Sequence, residues 1–164
     1  MEFYEVINLL AEYYKNYKYF IIPVVIFFIT VVPVPFPEDM FILIFGLLAK
    51  RLNDSPAPII FFSFITVQAS DLLLYYIGAG ALKISEKRNL LYSDFIKKKI
   101  EKGSLYFNKY GAPIILAARF TFLLRSSVYL SAGYLKYNTK KFIILNGIAG
   151  MIQTPLIIMI GYNI

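Results

Sequence analysis

The sequence predicts an all-α membrane protein in which two re-entrant helical hairpins and two spanning helices form an inverted repeat around a basic amphipathic surface helix. Three observations predict this class. The 164 residues are 59% hydrophobic, more than a soluble domain of this length can bury. The long apolar runs are interrupted by prolines or arginines. A lysine-rich segment separates two halves of similar order, which we treat as one domain over residues 1–164.

The first half, residues 19–82, contains one apolar run long enough to span a bilayer. A spanning helix needs about 20 apolar residues, and Ala57–Leu82 meets that length. Met40–Ala49 is too short, and Tyr19–Phe36 ends among prolines. We therefore expect these two runs to form a hairpin that enters the membrane and returns to the same side. Non-helical backbone at membrane depth is tolerated where protein buries it.

The stretch "VVPVPFPEDMF" supplies the tip of that hairpin. Proline lacks an N–H group and disfavours helix in the residue before it. Glu38 and Asp39 would then occupy the first turn of the returning helix. We expect Glu38 to lie at membrane depth and Asp39 to matter less. The prolines assigned to the tip are Pro33, Pro35 and Pro37.

The middle segment, residues 83–110, is strongly basic. Lys83–Lys109 holds eight lysines and arginines, and apolar residues recur close to helical spacing. This pattern predicts an amphipathic helix on an anionic lipid surface, on the cytoplasmic side by the positive-inside rule. The net charge of +7 is assigned to lipid headgroups and not to nucleic acid.

The second half, residues 111–164, repeats the order of the first. Ala112–Leu135 is long enough to span but contains Arg119 and Arg125. Because an arginine facing lipid costs about 2.5–3.5 kcal/mol, a second hairpin facing the protein interior is the better interpretation. Phe142–Ile164 is the second spanning helix. Hairpin plus spanning helix, repeated with opposite orientation, is a pattern of transporters.

Internal sequence similarity between the halves is faint. Aligning "YYIG" (Tyr75–Gly78) with "IMIG" (Ile158–Gly161) brings the hairpin tips to matching places, with Glu38 opposite Thr121.

Four charges lie in apolar surroundings, and such residues are candidates for function because they are costly to insert. They are Glu38, Asp71, Arg119 and Arg125. Helical spacing adds a supporting polar face: Gln68 and Tyr75 share the face of Asp71, and Asn146 and Gln153 share one on the last helix. The alternatives are that Glu38 is an ordinary helix-terminal charge and that Asp71 only neutralises an arginine.

Several kinds of chemistry are excluded or disfavoured by composition. The chain has no cysteine and no histidine, which removes thiol chemistry and the commonest metal ligand. We expect no metal, no cofactor and no enzymatic activity.

The motifs together resemble the DedA (VTT) family of membrane proteins. They are "PVPFPED", "ASDLLLYYIG", "FNKYG", "ARFTFLLRSSVYLSAG" and the closing "GY", and they extend from Phe20 to about Tyr162. The resemblance implies two re-entrant hairpins that face each other and transport of undecaprenyl phosphate or a phospholipid. It also implies that function depends on Glu38 and Asp71 as the acidic pair and on both arginines.

The sequence departs from the family pattern in four places. Ser70 precedes Asp71 where the family usually has glycine, and no proline separates the two arginines. A tryptophan common in the last helix is absent. The sequence ends at Ile164, before the final spanning helix of many members.

The function expected is that of a flippase or scramblase in a prokaryotic plasma membrane, with proton coupling through Glu38 and Asp71 and phosphate binding by Arg119 and Arg125. Guanidinium groups stay charged and offer a planar fork of donors that suits phosphate. The alternatives are a membrane-embedded enzyme acting on lipid phosphates and a scaffold without catalytic activity.

Overall fold

The computed structural model of the chain describes residues 17, 21–28, 38–85 and 91–164. Within these ranges the side chains of residues 38, 81–85, 91–93, 95, 122 and 123 are not described. The assigned hairpin-tip prolines, Pro33, Pro35 and Pro37, and the side chain of Glu38 therefore lie outside the described part. That part is helical, with no strand.

Two of the helices are long and apolar enough to cross a membrane. The first helix described, α1, comprises residues 21–28. The candidate spans within the described residues are Pro56–Gly80 and Thr139–Asn163, close to the runs predicted from the sequence. The helices after α1 are, in chain order, α2 (Glu38–Arg51), α3 (Pro56–Ser85), α4 (Leu91–Tyr110), α5 (Pro113–Arg119), α6 (Phe122–Tyr134) and α7 (Thr139–Asn163). The two candidate spans lie in α3 and α7.

The described helices α2, α5 and α6, which the prediction assigns to the two hairpins, are shorter than the hydrocarbon core. α2 has 14 residues, α5 has 7 and α6 has 13, so the longest measures about 21 Å against a core of about 30 Å. Between α5 and α6 the chain breaks at Thr121, which is extended at φ −120° and ψ 97°. Its hydroxyl bonds back to the Ala117 carbonyl at 3.2 Å. A β-branched residue therefore makes this break without proline.

α4 packs against protein through its apolar face. Its buried residues, Ile96, Ile100 and Phe107, belong to a cluster with side chains of α3, α5, α6 and α7, and α6 is its main neighbour. Lys97 and Lys98 are exposed. The predicted position of this basic segment on the membrane surface stays a prediction, and the structure adds that protein contacts its apolar face. Periodicity identified an apolar face, but α6 covers much of it.

α3 and α6 approach so closely that only glycine fits between their backbones. A Cβ atom on Gly78 would overlap the Leu130 carbonyl, and one on Gly133 would overlap the Tyr75 carbonyl. Glycine has no Cβ, so the two backbones can touch. We call this the α3–α6 glycine contact.

α2 and α7 meet in the same way. A Cβ atom on Gly46 would overlap the Ile158 carbonyl, and one on Gly161 would overlap the Leu43 carbonyl. We call this the α2–α7 glycine contact. In both contacts, each glycine faces the carbonyl of the residue three positions before the glycine of the partner helix. Each short helix thus packs on the long helix of the other half of the sequence.

Polar residues occupy the middle of both long helices, between two hydrophobic clusters. On α3, Val67 belongs to one cluster and Leu74 to the other. On α7, Ile158 belongs to the same cluster as Val67, and Phe142 belongs to the same cluster as Leu74. The site lies between these points.

Candidate functional site

Asp71 is the centre of a buried polar cluster formed by α3, α5, α6 and α7. The side chain is completely buried. Its Oδ2 accepts from Arg119 Nη1 at 2.9 Å and from Asn146 Nδ2 at 2.8 Å. Its Oδ1 accepts from Arg125 Nε at 3.0 Å and Nη2 at 2.5 Å. One carboxylate thus receives donors from both arginines.

A second ring of hydrogen bonds orients these groups. Asn146 Nδ2 also donates to Gln68 Oε1 at 2.7 Å, and Tyr129 donates its hydroxyl proton to Asn146 Oδ1 at 2.7 Å. Arg119 Nη1 lies 3.0 Å from the Gln68 oxygen and 2.7 Å from the Asn146 oxygen. The amide of Asn146 therefore joins α7 to all the other helices of the cluster.

The two guanidiniums bind their neighbours differently. Arg125 uses both Nε and Nη2 on Asp71. The described hydrogen bonds of Arg119 all use Nη1, and its Nε has no partner within the described part of the chain. Arg119 is 2% exposed. An unpaired buried donor is costly, so this side of Arg119 favours an additional acceptor.

Among the described side chains, the cluster contains two buried guanidiniums, Arg119 and Arg125, and one carboxylate, Asp71. Burying a charge is unfavourable unless it is paired. The Nε of Arg119, which has no described partner, is therefore the part of the cluster that would suit an anionic ligand.

The local sequence explains this convergence. Gln68 and Asp71 are three residues apart on α3 and share a face. Arg119 ends α5 and Arg125 lies in the first turn of α6, so the break between these helices brings both guanidiniums to one place. Tyr129 follows Arg125 by one helical turn.

Comparison with known proteins assigns the sequence to a family. The sequence model described as the VTT domain matches residues 36–163. The chain belongs to the VTT domain family, also called the DedA family. It is 25% identical over 166 residues to a protein named inner membrane protein from Borreliella burgdorferi, covering 96% of this chain and 76% of that protein. This VTT domain is a membrane protein. No solved structure matches it.

The VTT domain places the predicted polar face in three locations. Gln68 and Asn146 join Asp71. Tyr75 instead donates to the Tyr137 carbonyl at 2.5 Å, in the connection between α6 and α7. Gln153 lies one turn beyond Gly150 and donates to Asp39. Helical spacing identified the inward face of each long helix, but it could not predict which residues of that face contact Asp71 and which contact other groups.

Three participants were missed from the sequence. Tyr129 could have been found from its spacing to Arg125. The Asp39 side chain accepts from Gln153 on α7, and the expectation that Asp39 matters less than Glu38 stays a prediction. Lys99 on α4 donates to Ser126 on α6 at 2.6 Å. No local sequence pattern relates Asp39 to Gln153 or Lys99 to Ser126.

A groove of about 160 Å³ reaches the polar cluster from the side of the VTT domain. Its walls include Ala69 and Ile143, whose side chains are exposed, and Gln68 and Asn146 line its inner part. The groove thus runs from the outer surface of α3 and α7 to amides that contact Arg119. Within the described residues, no group of three or more carboxylates is placed to hold a metal ion.

Proposed function

We propose that this VTT domain moves a phosphate-bearing lipid across the bilayer as a flippase or scramblase. The observation that carries the proposal is the unpartnered Nε of the buried Arg119, within a cluster that holds two guanidiniums and one carboxylate. A phosphate oxygen would accept a hydrogen bond from that donor. Hydrogen bonds between guanidinium and phosphate are among the stronger ones in proteins.

The groove between α3 and α7 supports a route for such a lipid. Its apolar walls would contact an acyl chain, and Gln68 and Asn146 in its lining would set that chain beside the polar cluster. The headgroup would pass through the cluster and the tails would remain in the membrane. Arg119 rather than Arg125 would contact the phosphate first, because both described donor contacts of Arg125 engage Asp71.

The two re-entrant hairpins and the inverted repeat are part of this proposal. The matching glycine contacts support the repeat. They also suggest a different internal alignment, because they equate Gly133 with Gly46 and thereby set Arg125, not Thr121, opposite Glu38.

Single cysteines test the hairpin topology, since the chain has none of its own. Lys50, Lys98 and Lys140 are exposed and suit replacement. If α5 and α6 return to the side they entered, an impermeant thiol reagent should label positions 98 and 140 from the same side and position 50 from the other. Labelling of 98 and 140 from opposite sides would contradict a second hairpin.

Proton coupling through Glu38 and Asp71 is the further element of the proposal. Acidic side chains at membrane depth are typical of proton-coupled pumps and transporters. Glu38→Gln keeps the shape of the side chain and removes its titration. We expect transport by this variant to lose its dependence on a pH gradient.

The deciding experiment is translocation of fluorescent lipids in liposomes containing the purified protein, with several headgroups and with or without a pH gradient. We expect a phosphate-bearing lipid to equilibrate between leaflets, and Arg119→Lys to slow this movement. Release of phosphate from the lipid would favour an enzyme. Inertness in both assays would favour a scaffold.

A further inference from the structure

Asp39 and Gln153 join the start of α2 to the middle of α7. Gln153 Nε2 lies 3.1 Å from Asp39 Oδ1 and 3.3 Å from Oδ2, so one amide holds both carboxylate oxygens. Gln153 is buried and Asp39 is half-buried. Neither residue bonds to the Asp71 cluster in the hydrogen bonds described.

Arg119 lies beside this contact. A Cβ atom on Gly150, one turn before Gln153, would lie 2.8 Å from Arg119 Nη2. Arg119 and Asp39 thus contact neighbouring turns of the same helix, α7. Nevertheless, Asp39 is bonded to Gln153, and Arg119 Nε is left without a partner.

An unrestrained carboxylate in this place would be expected to move onto the guanidinium. Asp39 is a described acid that has no described bond to Arg119, and a carboxylate matches the donors of arginine well. Such an ion pair would fill the position that a phosphate oxygen needs. The amide of Gln153 supplies the competing bond.

We propose that Gln153 is a positioning residue that holds the Asp39 carboxylate and thereby keeps the Nε side of Arg119 open to a phosphate group. This inference rests on the proposed function, because it presumes that phosphate binds at Arg119. In this inference, the Asp39 carboxylate competes with phosphate for Arg119. A phosphate group is the ligand, whether it belongs to a lipid or is free in solution.

Two substitutions should shift phosphate affinity in opposite directions. Gln153→Leu removes the amide and frees Asp39 to pair with Arg119, so binding should weaken about tenfold. Asp39→Asn removes the competing negative charge, so binding should tighten by a similar factor. The double variant should bind as tightly as Asp39→Asn alone, since Gln153 acts only through the charge of Asp39.

The measurement is equilibrium binding to the full chain in dodecyl maltoside, which contains no phosphate. One arm uses inorganic phosphate and the other uses dihexanoyl phosphatidic acid. The arm with the tighter binding identifies the source of the phosphate group, and the opposed shifts in either arm support the role of Gln153. Asp94→Asn, at an exposed acid on α4, is the control for loss of one negative charge and should bind normally.

Several results would overturn the inference. Unchanged affinity in Gln153→Leu would remove the positioning role, and so would weaker binding in Asp39→Asn. If the double variant bound as poorly as Gln153→Leu, the loss would arise from damaged packing and not from Asp39. Failure of the unaltered protein to bind either probe would refute the proposed function and this inference with it.

Discussion

The α3–α6 and α2–α7 interfaces share one backbone arrangement and differ in the polar groups they carry. Each is built on a reciprocal glycine contact. Beside the first, Asp71 is completely buried and accepts from three residues. Beside the second, Asp39 is half-buried and accepts from one amide. The same close packing can therefore support a fully buried ion cluster on one side and a half-buried contact between a carboxylate and an amide on the other.

The largest difference between the two acids should appear in stability. Asp71→Asn leaves two buried guanidiniums without their carboxylate, and losing one partner of a buried ion pair costs about 3–5 kcal/mol. Asp39→Asn keeps a hydrogen-bonding group at a half-buried position and should cost less than about 1 kcal/mol. The free energy of unfolding, measured by SDS titration in mixed micelles, tests both.

Equal losses in these two variants would erase the proposed distinction. If Asp71→Asn were as stable as the unaltered protein, the arginines would have to be neutralised by groups other than Asp71. Asp94→Asn serves as the surface control and should leave stability unchanged.

The glycine contacts should tolerate substitution poorly on both sides. Gly78→Ala and Gly161→Ala each place a methyl group against a backbone carbonyl, and overpacking of this kind costs about 1–3 kcal/mol. Gly80→Ala is the matched control, because a Cβ atom there meets nothing within 4 Å, and alanine favours helix. The same unfolding assay applies. A neutral effect at Gly78 would mean that α3 and α6 can separate without loss.

The sequence predicted the long helices because a run of about 20 apolar residues matches the length that a membrane-spanning helix needs. The predicted run Ala57–Leu82 falls within α3, Pro56–Ser85. The sequence also predicted that Asp71, Arg119 and Arg125 lie inside the protein, because a charged side chain that faces lipid is costly. All three are buried.

Partner choice was beyond the sequence. Whether Asp71 neutralises arginines or titrates was left open, and its described partners are the two arginines and Asn146. The contact between Asp39 and Gln153 joins residues more than a hundred positions apart. Only the packing of α2 on α7 brings them together. The side chain of Glu38 lies outside the described part, so its role stays a prediction.

The two arginines allow a sharper test of which group meets phosphate. Lysine in place of Arg119 can supply one terminal nitrogen where Nη1 now lies but no Nε. We therefore expect Arg119→Lys to slow lipid translocation about tenfold while costing less than about 1 kcal/mol of stability.

Arg125→Lys provides the comparison. It loses one of two bonds to the same carboxylate oxygen, so its stability should fall further than that of Arg119→Lys, and transport should fall as well. Full transport in both lysine variants would mean that positive charge alone suffices. Equal stability would mean that the two guanidiniums have equivalent structural roles.

The smallest expected effect concerns Lys99, which supports α6 from α4 through its bond to Ser126, next to Arg125. Burial, and secondarily the charge of Lys102, lowers the pKa of Lys99 below its ordinary value of 10.5. The unfolded chain therefore holds more protons than the folded protein between the two pKa values. Stability relative to a Lys99→Gln variant should accordingly rise as pH increases through that window toward 10.5. Lys98→Gln, at an exposed neighbour, should show no such trend. Unfolding titrations across alkaline pH would measure the difference. Parallel curves for the two variants would show that the contact of α4 with α6 does not change the titration of Lys99.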